Sequence, residues 1–97
     1  VDTGISGKTS QKVGIKLRQI SKEVQTVCIT HSPQIASLAD NHYNIVKEEN
    51  EGRSETSVRY LDQSERIEEI ARILGGINIT DKQRETAAEL LGERKNY

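Results

Sequence analysis

A chain of 97 residues has room for one small domain or for part of a larger one. It carries 14 basic and 15 acidic residues and a net charge of −1, which excludes the overall positive charge typical of domains that bind nucleic acid. Hydrophobic residues make up 33% and aromatic residues 3%, so a core built from this chain is thin. The lone Cys28 cannot form an internal disulfide, which favours a reduced intracellular protein. Because the chain starts without Met, in what looks like a loop, we expect a fragment.

The first element predicted is a helix. Residues 1–7 read V-D-T-G-I-S-G, a turn-rich loop with two glycines. Over residues 8–24 apolar side chains recur at helical spacing, with Lys and Gln on the other face. This pattern predicts an amphipathic helix whose apolar face carries Val13, Leu17, Ile20 and Val24.

The next stretch predicts a strand followed by a helix. Residues 26–30 contain a continuous apolar run typical of a strand buried on both faces. Ser32 can cap a helix and Pro33 suits its first position, so a helix is predicted over residues 33–39. His31 should then lie at the carboxyl end of a strand and before a helix N-terminus, where ligands gather in open α/β sheets. The alternative is a partly exposed histidine in an ordinary strand–helix turn.

The second half predicts a hairpin and two helices. Residues 42–48 and 57–61 alternate as strands do, with turn residues between them, which predicts a β-hairpin over residues 42–61. Asp62 with Glu65, and Thr80 with Gln83, have the spacing of capping boxes that begin helices, which predicts a helical pair over residues 63–94. The predicted order is therefore α-β-α-β-β-α-α, an α/β fold with a β-hairpin and a C-terminal helical pair.

Two motifs suggest chemistry that their spacing does not support. The run G-I-S-G-K-T at residues 4–9 is two residues too short for a phosphate-binding P-loop, so Lys8 is better explained as a solvated first-turn residue. His31 and His42 are separated by a predicted helix and have no Cys or carboxylate cluster at zinc spacing. We therefore predict no metal site.

The first loop and the T-H-S-P-Q segment also carry a family resemblance. V-D-T-G-I-S-G at residues 1–7 and V-C-I-T-H-S-P-Q-I-A-S-L-A-D at residues 27–40 resemble the end of the ATPase head in the bacterial DNA repair family called RecN. R-I-E-E-I-A-R-I-L-G-G-I-N-I-T at residues 66–80 and A-A-E-L-L at residues 87–91 resemble that family's C-terminal tail. RecN proteins are SMC-like relatives of the ABC ATPases. The resemblance spans essentially the whole chain and implies the C-terminal part of an ABC-type P-loop NTPase head.

The resemblance also implies roles for particular residues. Residues 1–7 correspond to the D-loop, which follows the Walker B acidic pair and lies between two heads near bound nucleotide. Ser6 stands where many relatives carry an aspartate, so a charged contact is not implied there. His31 matches the switch histidine, which reaches the γ-phosphate, and an imidazole N–H can donate to a phosphate oxygen. The implied nucleotide-binding residues of the D-loop are Asp2, Thr3, Gly4 and Ser6. For Asp2 and Ser6, the alternative role is capping of a helix or turn.

The implied function is ATP-dependent repair of DNA double-strand breaks and recombination. ATP and Mg²⁺ would be cofactors of the full-length protein, but the fragment alone should bind neither and be inactive, because Walker A, the signature motif and Walker B are absent from it. The implied partners are the rest of its own ATPase head, a second copy in a homodimer, and DNA through the full-length protein. A cytoplasmic, nucleoid-associated location without membrane contact is expected. The alternative is a non-catalytic α/β protein-interaction module in which the His31 turn is purely structural.

Overall fold

The computed structural model describes residues 7–75 and 78–97. The predicted combination of helices, a β-hairpin and a C-terminal helical pair is confirmed. None of the described helices is long and apolar enough to cross a membrane. In chain order the elements are α1 Gly7–Ser21, α2 Pro33–Ala36, β1 Tyr43–Asn50, β2 Arg53–Tyr60, α3 Gln63–Gly75 and α4 Asp81–Glu93, followed by a 3₁₀ turn at Arg94–Asn96.

The prediction of a strand at residues 26–30 is wrong. These residues have no regular secondary structure, and within the described ranges the hydrogen-bonded ladder is the one between β1 and β2. Val27 is 84% and Ile29 is 77% exposed, whereas the prediction placed them in a core. Exposure nevertheless alternates from residue 26 to residue 31, which is the period of a strand. The segment has the side-chain pattern of a strand, but the described residues provide no partner strand for it.

The first helix approaches α2 closely at a glycine. Gly14 is buried in the middle of α1, where glycine normally lowers helix stability. A methyl group added there would lie 2.8 Å from Leu38 Cδ1 and 3.3 Å from the carbonyl oxygen of Gln34. The missing side chain therefore lets the backbones of α1 and α2 come together and bury Ile35.

The two strands of the hairpin extend closer to its tip than predicted, whereas the hairpin as a whole lies within the predicted residues 42–61. β1 and β2 pair in antiparallel register from Tyr43 opposite Tyr60 to Asn50 opposite Arg53, so the strands continue to the tip. Glu51 and Gly52 join them with φ of 51° and 76°. Two consecutive positive φ values match the twist of a two-residue hairpin turn, which is why the polar tip can remain paired.

One face of this hairpin is apolar and uncovered. Tyr43 and Tyr60 lie edge to face with ring centroids 5.3 Å apart, and Ile45 lies opposite Val58. All four side chains are more than half exposed. Their alternation therefore identified the strands and their shared face, but nothing in the described chain packs over that face.

The C-terminal helical pair begins each helix with a capping box and packs around a small core. The capping box before α3 is confirmed: the Asp62 N–H donates to Glu65 Oε1 at 3.0 Å, and the Glu65 N–H donates to Asp62 Oδ1 at 2.8 Å. The box of Thr80 and Gln83 before α4 is also confirmed. Between the two helices lies a small core of Ile70, Ala71, Ala87 and Leu91.

The exposed apolar surface leads us to predict that the chain on its own self-associates, most simply as a symmetric dimer. Val27 and Ile29 are exposed, and a two-stranded sheet offers unpaired edges that favour strand addition. Sedimentation across a wide concentration range measures the effect. The double change Val27→Glu and Ile29→Glu should weaken association, whereas Gln19→Glu with Gln25→Glu adds the same charge at exposed polar positions and should not. A folded monomer at every concentration would contradict the prediction.

Candidate functional site

The turn around His31 is organised by Ser32. This residue has φ −91° and ψ 123°, and its Oγ accepts a hydrogen bond from the Ile35 N–H at 3.4 Å. Its own N–H donates to Thr30 Oγ1 at 3.0 Å, and Pro33 begins α2. The predicted helix start is confirmed, and it places His31 exposed directly before the cap.

The helix that follows is shorter than predicted. α2 ends at Ala36 rather than at residue 39, and the chain continues in a turn whose Leu38 N–H donates to the Ile35 carbonyl at 3.1 Å. A helix of one turn has few aligned peptide dipoles, so its end adds little to anion binding. Any binding of an anion at this turn therefore depends on the His31 imidazole rather than on α2.

The start of α1 lies beside the same turn. A methyl group added at Gly7 would lie 3.3 Å from Gln34 Nε2, so the residue that ends the predicted D-loop is close to the first turn of α2. Lys8 is exposed in the first turn of α1, as predicted. The fold therefore brings the end of the first loop to the His31 turn. The four predicted D-loop residues lie outside the described part of the chain, and their role stays a prediction: Asp2, Thr3, Gly4 and Ser6.

The carbonyl groups that follow α2 are held by a buried arginine that the sequence interpretation missed. Arg66, on α3, is 3% exposed. Its Nη2 donates to the carbonyl oxygens of Ala36 at 3.1 Å and Ala39 at 2.9 Å, and its Nη1 donates to that of Asp40 at 3.3 Å. The signal was present in the sequence, because Arg66 lies one helical turn before Ile70 on the apolar side of α3.

Two further arginines bind the turn that follows α2. Arg18 of α1 donates through Nη1 to the Leu38 carbonyl at 3.0 Å and to Asp40 Oδ1 at 2.9 Å. Arg94 donates through Nη1 to the Ala39 carbonyl at 3.0 Å. We call Arg18, Arg66 and Arg94 the arginine clamp. It joins α1, α3 and the end of α4 to the turn after α2.

Within the clamp, Arg66 is a buried cation whose charge is bound by backbone carbonyl dipoles. Burial is the main cause that lowers the pKa of the Arg66 guanidinium, and the positive charge of Arg94 lowers it further. The hydrogen bond from Arg18 is the main cause that lowers the pKa of Asp40. Carbonyl oxygens at the end of a helical turn carry partial negative charge, so they offset part of the cost of burying the guanidinium.

His42 has a different environment from His31. It is half-buried just before β1, and its carbonyl accepts a hydrogen bond from the Leu61 N–H at 3.0 Å. Burial and, second, the positive charge of Arg66 lower the pKa of its imidazole. Among the residues that the structure describes, no group of three or more His, Cys, Asp or Glu side chains is placed to hold a metal ion.

Comparison with known proteins gives consistent matches over nearly the whole chain. It is 47% identical over 91 residues to the DNA repair protein RecN of Halalkalibacterium halodurans. The identity is 43% over 91 residues to the proteins of the same name in Bacillus subtilis and in Vibrio cholerae. Each match covers 94% of this chain but only 16% of the relative, so the chain spans about a sixth of the length of these relatives. No protein-family profile matches the chain.

Proposed function

We propose that this chain, a homologue of one segment of the proteins named DNA repair protein RecN, contributes a histidine to the ATP site of a DNA repair ATPase. The observation that carries the proposal is the placement of His31, exposed on a capped turn that lies against the start of α1. The homology extends through this turn and through the helices that hold it.

Within the turn, His31 is the side chain suited to contact a phosphate. The Ser32 hydroxyl is used inside the turn, since its Oγ accepts from the Ile35 N–H and donates to Gln34 Oε1 at 3.1 Å. An imidazole offers one N–H donor when neutral and two when protonated, and either form can donate to a phosphate oxygen. His31 would therefore hold the terminal phosphate in place and respond to its loss.

The remaining parts of such a site would come from elsewhere in the same protein. ATP bound with Mg²⁺ supplies the phosphoanhydride that is cleaved, and catalysis of this class depends on positioning and on stabilisation of charge. This chain would add His31 and, at the interface between two heads, the D-loop residues 1–7. Its partners would be the rest of its own head, a second copy, and DNA bound by the whole protein. Together these parts would couple nucleotide state to DNA repair.

A photoaffinity ATP analogue with the reactive group on its γ-phosphate tests this placement in the full-length protein. We expect labelling within residues 26–39, identified by mass spectrometric sequencing and suppressed by excess ATP. The hairpin at residues 43–60 and the chain on its own, which lacks a P-loop of the required spacing, are the controls that should stay unlabelled. Labelling elsewhere in the protein, with none in residues 26–39, would favour the alternative of a structural turn in an interaction module.

A further inference from the structure

We propose that Arg66 is a positioning residue through which the C-terminal helical pair fixes the place of His31. The inference rests on the proposed function, because it assigns to Arg66 an effect on a nucleotide site that Arg66 does not itself touch. Its basis is a continuous set of hydrogen bonds between α3 and the His31 turn.

The path from Arg66 to His31 is short. Arg66 Nη2 donates to the Ala36 carbonyl at 3.1 Å, and the Ala36 N–H donates to the Ser32 carbonyl at 2.9 Å. Ser32 is the residue next to His31 and caps α2. Because α2 is a single turn, its two ends cannot shift independently. A displacement of Ala36 therefore displaces the backbone that carries His31.

Two parts of the fold support this turn: the packing of α2 on α1 beside Gly14, and the hydrogen bonds of the arginine clamp. Val27 and Ile29, on the N-terminal side of His31, are exposed and belong to a segment without ladder hydrogen bonds among the described residues. On the C-terminal side of the turn, Arg66 is fixed by the packing of α3 on α4 around Ile70. Through Arg66, the arginine clamp thus links the core between α3 and α4 to this turn, in addition to the packing of α1 on α2 that buries Ile35.

The chemistry of the contact requires arginine. A guanidinium presents several N–H donors in a planar fork, which lets Arg66 bind the carbonyls of Ala36, Ala39 and Asp40 together. A lysine ammonium keeps the charge but concentrates its donors on one atom, so it cannot span the same three oxygens. Arg66→Lys therefore loosens the turn while leaving a cation in place.

A double-mutant cycle in the full-length protein tests the inference, with Arg66→Lys, His31→Ala and the double variant compared for ATP turnover and ATP affinity. Arg66→Lys should lower turnover by about tenfold, as expected for a misplaced catalytic group, with little change in affinity. In the His31→Ala background the same change should cost less than about twofold, because the group it positions is gone. Arg72→Lys is the matched control, since Arg72 lies exposed on the same helix and pairs with Glu69.

The outcomes separate this inference from the proposed function. If Arg66→Lys lowers turnover by the same factor in both backgrounds, or not at all, Arg66 does not act through His31 and this inference alone is wrong. If His31→Ala leaves turnover at the wild-type level, both proposals are wrong. Arg66→Gln, which retains an amide donor without the charge, is measured in parallel with thermal melting. The loss of turnover caused by Arg66→Gln should also vanish in the His31→Ala background. A purely structural role of Arg66 would instead lower the melting temperature, and it would lower turnover whether or not residue 31 is histidine.

Discussion

Replacing His31 by Ala in the full-length protein is expected to slow ATP hydrolysis by about 10- to 150-fold, the factor that corresponds to about 1.5–3 kcal/mol for one charge-assisted hydrogen bond. The affinity for ATP should change much less, because the proposed role of His31 concerns the terminal phosphate alone. Steady-state turnover and equilibrium nucleotide binding measure the two quantities separately. Gln25→Ala, at an exposed position in the preceding irregular segment, is the control and should leave both unchanged.

A parallel fall in affinity and turnover would mean that His31 contributes uniformly to nucleotide binding rather than to the reaction. Wild-type turnover in His31→Ala would mean that the turn is structural.

The largest loss of stability is expected from Ile70→Ala. The Ile70 side chain is fully buried and lies in the core between α3 and α4 with Ala71, Ala87 and Leu91. Two of these three neighbours are alanines, which are too short to fill the space left behind. We expect the free energy of unfolding to fall by about 2–5 kcal/mol, the usual cost of truncating a buried Ile or Leu. Urea denaturation followed by circular dichroism gives the value.

Leu74→Ala is the matched control for this change. Leu74 lies one helical turn beyond Ile70 on α3, but it is 37% exposed, so its truncation should cost clearly less. Equal losses for the two variants would show that the helical pair is not held by the core described above.

The elements predicted correctly are those whose signals are local. The capping boxes of Asp62 with Glu65 and of Thr80 with Gln83 need partners only three residues away, and both are present in the structure. Ser32 and Pro33 begin α2 for the same reason. Alternation likewise located β1 and β2, because a hairpin supplies each strand with its own neighbour.

The failures come from interactions that are distant in the sequence. Val27 and Ile29 predicted a buried strand, yet burial depends on a neighbouring strand and a covering layer that the described residues do not provide. The position of Arg66 on the apolar side of α3 marked an unusual side chain, but its partners at Ala36 and Ala39 lie about thirty positions earlier in the sequence. No local pattern identifies which carbonyls a buried cation will bind.

The candidate site was predicted only in part for a similar reason. Residue type and spacing placed His31 before a capped helix, and the structure confirms that placement. They also predicted a helix over residues 33–39, whereas α2 ends at Ala36 and is one turn held by the arginine clamp. The support of the site therefore comes from α3 and α1, which the sequence pattern treated as separate elements.

The central claim is that His31 acts on the bound terminal phosphate. Single-turnover hydrolysis, with ATP already bound to excess full-length protein, tests it most directly because substrate binding and product release no longer contribute to the rate. His31→Ala should lower this rate by about 10- to 150-fold, and His31→Gln, which keeps an N–H donor, should recover part of the loss. Single-turnover rates equal to that of the wild type in both variants would contradict the claim.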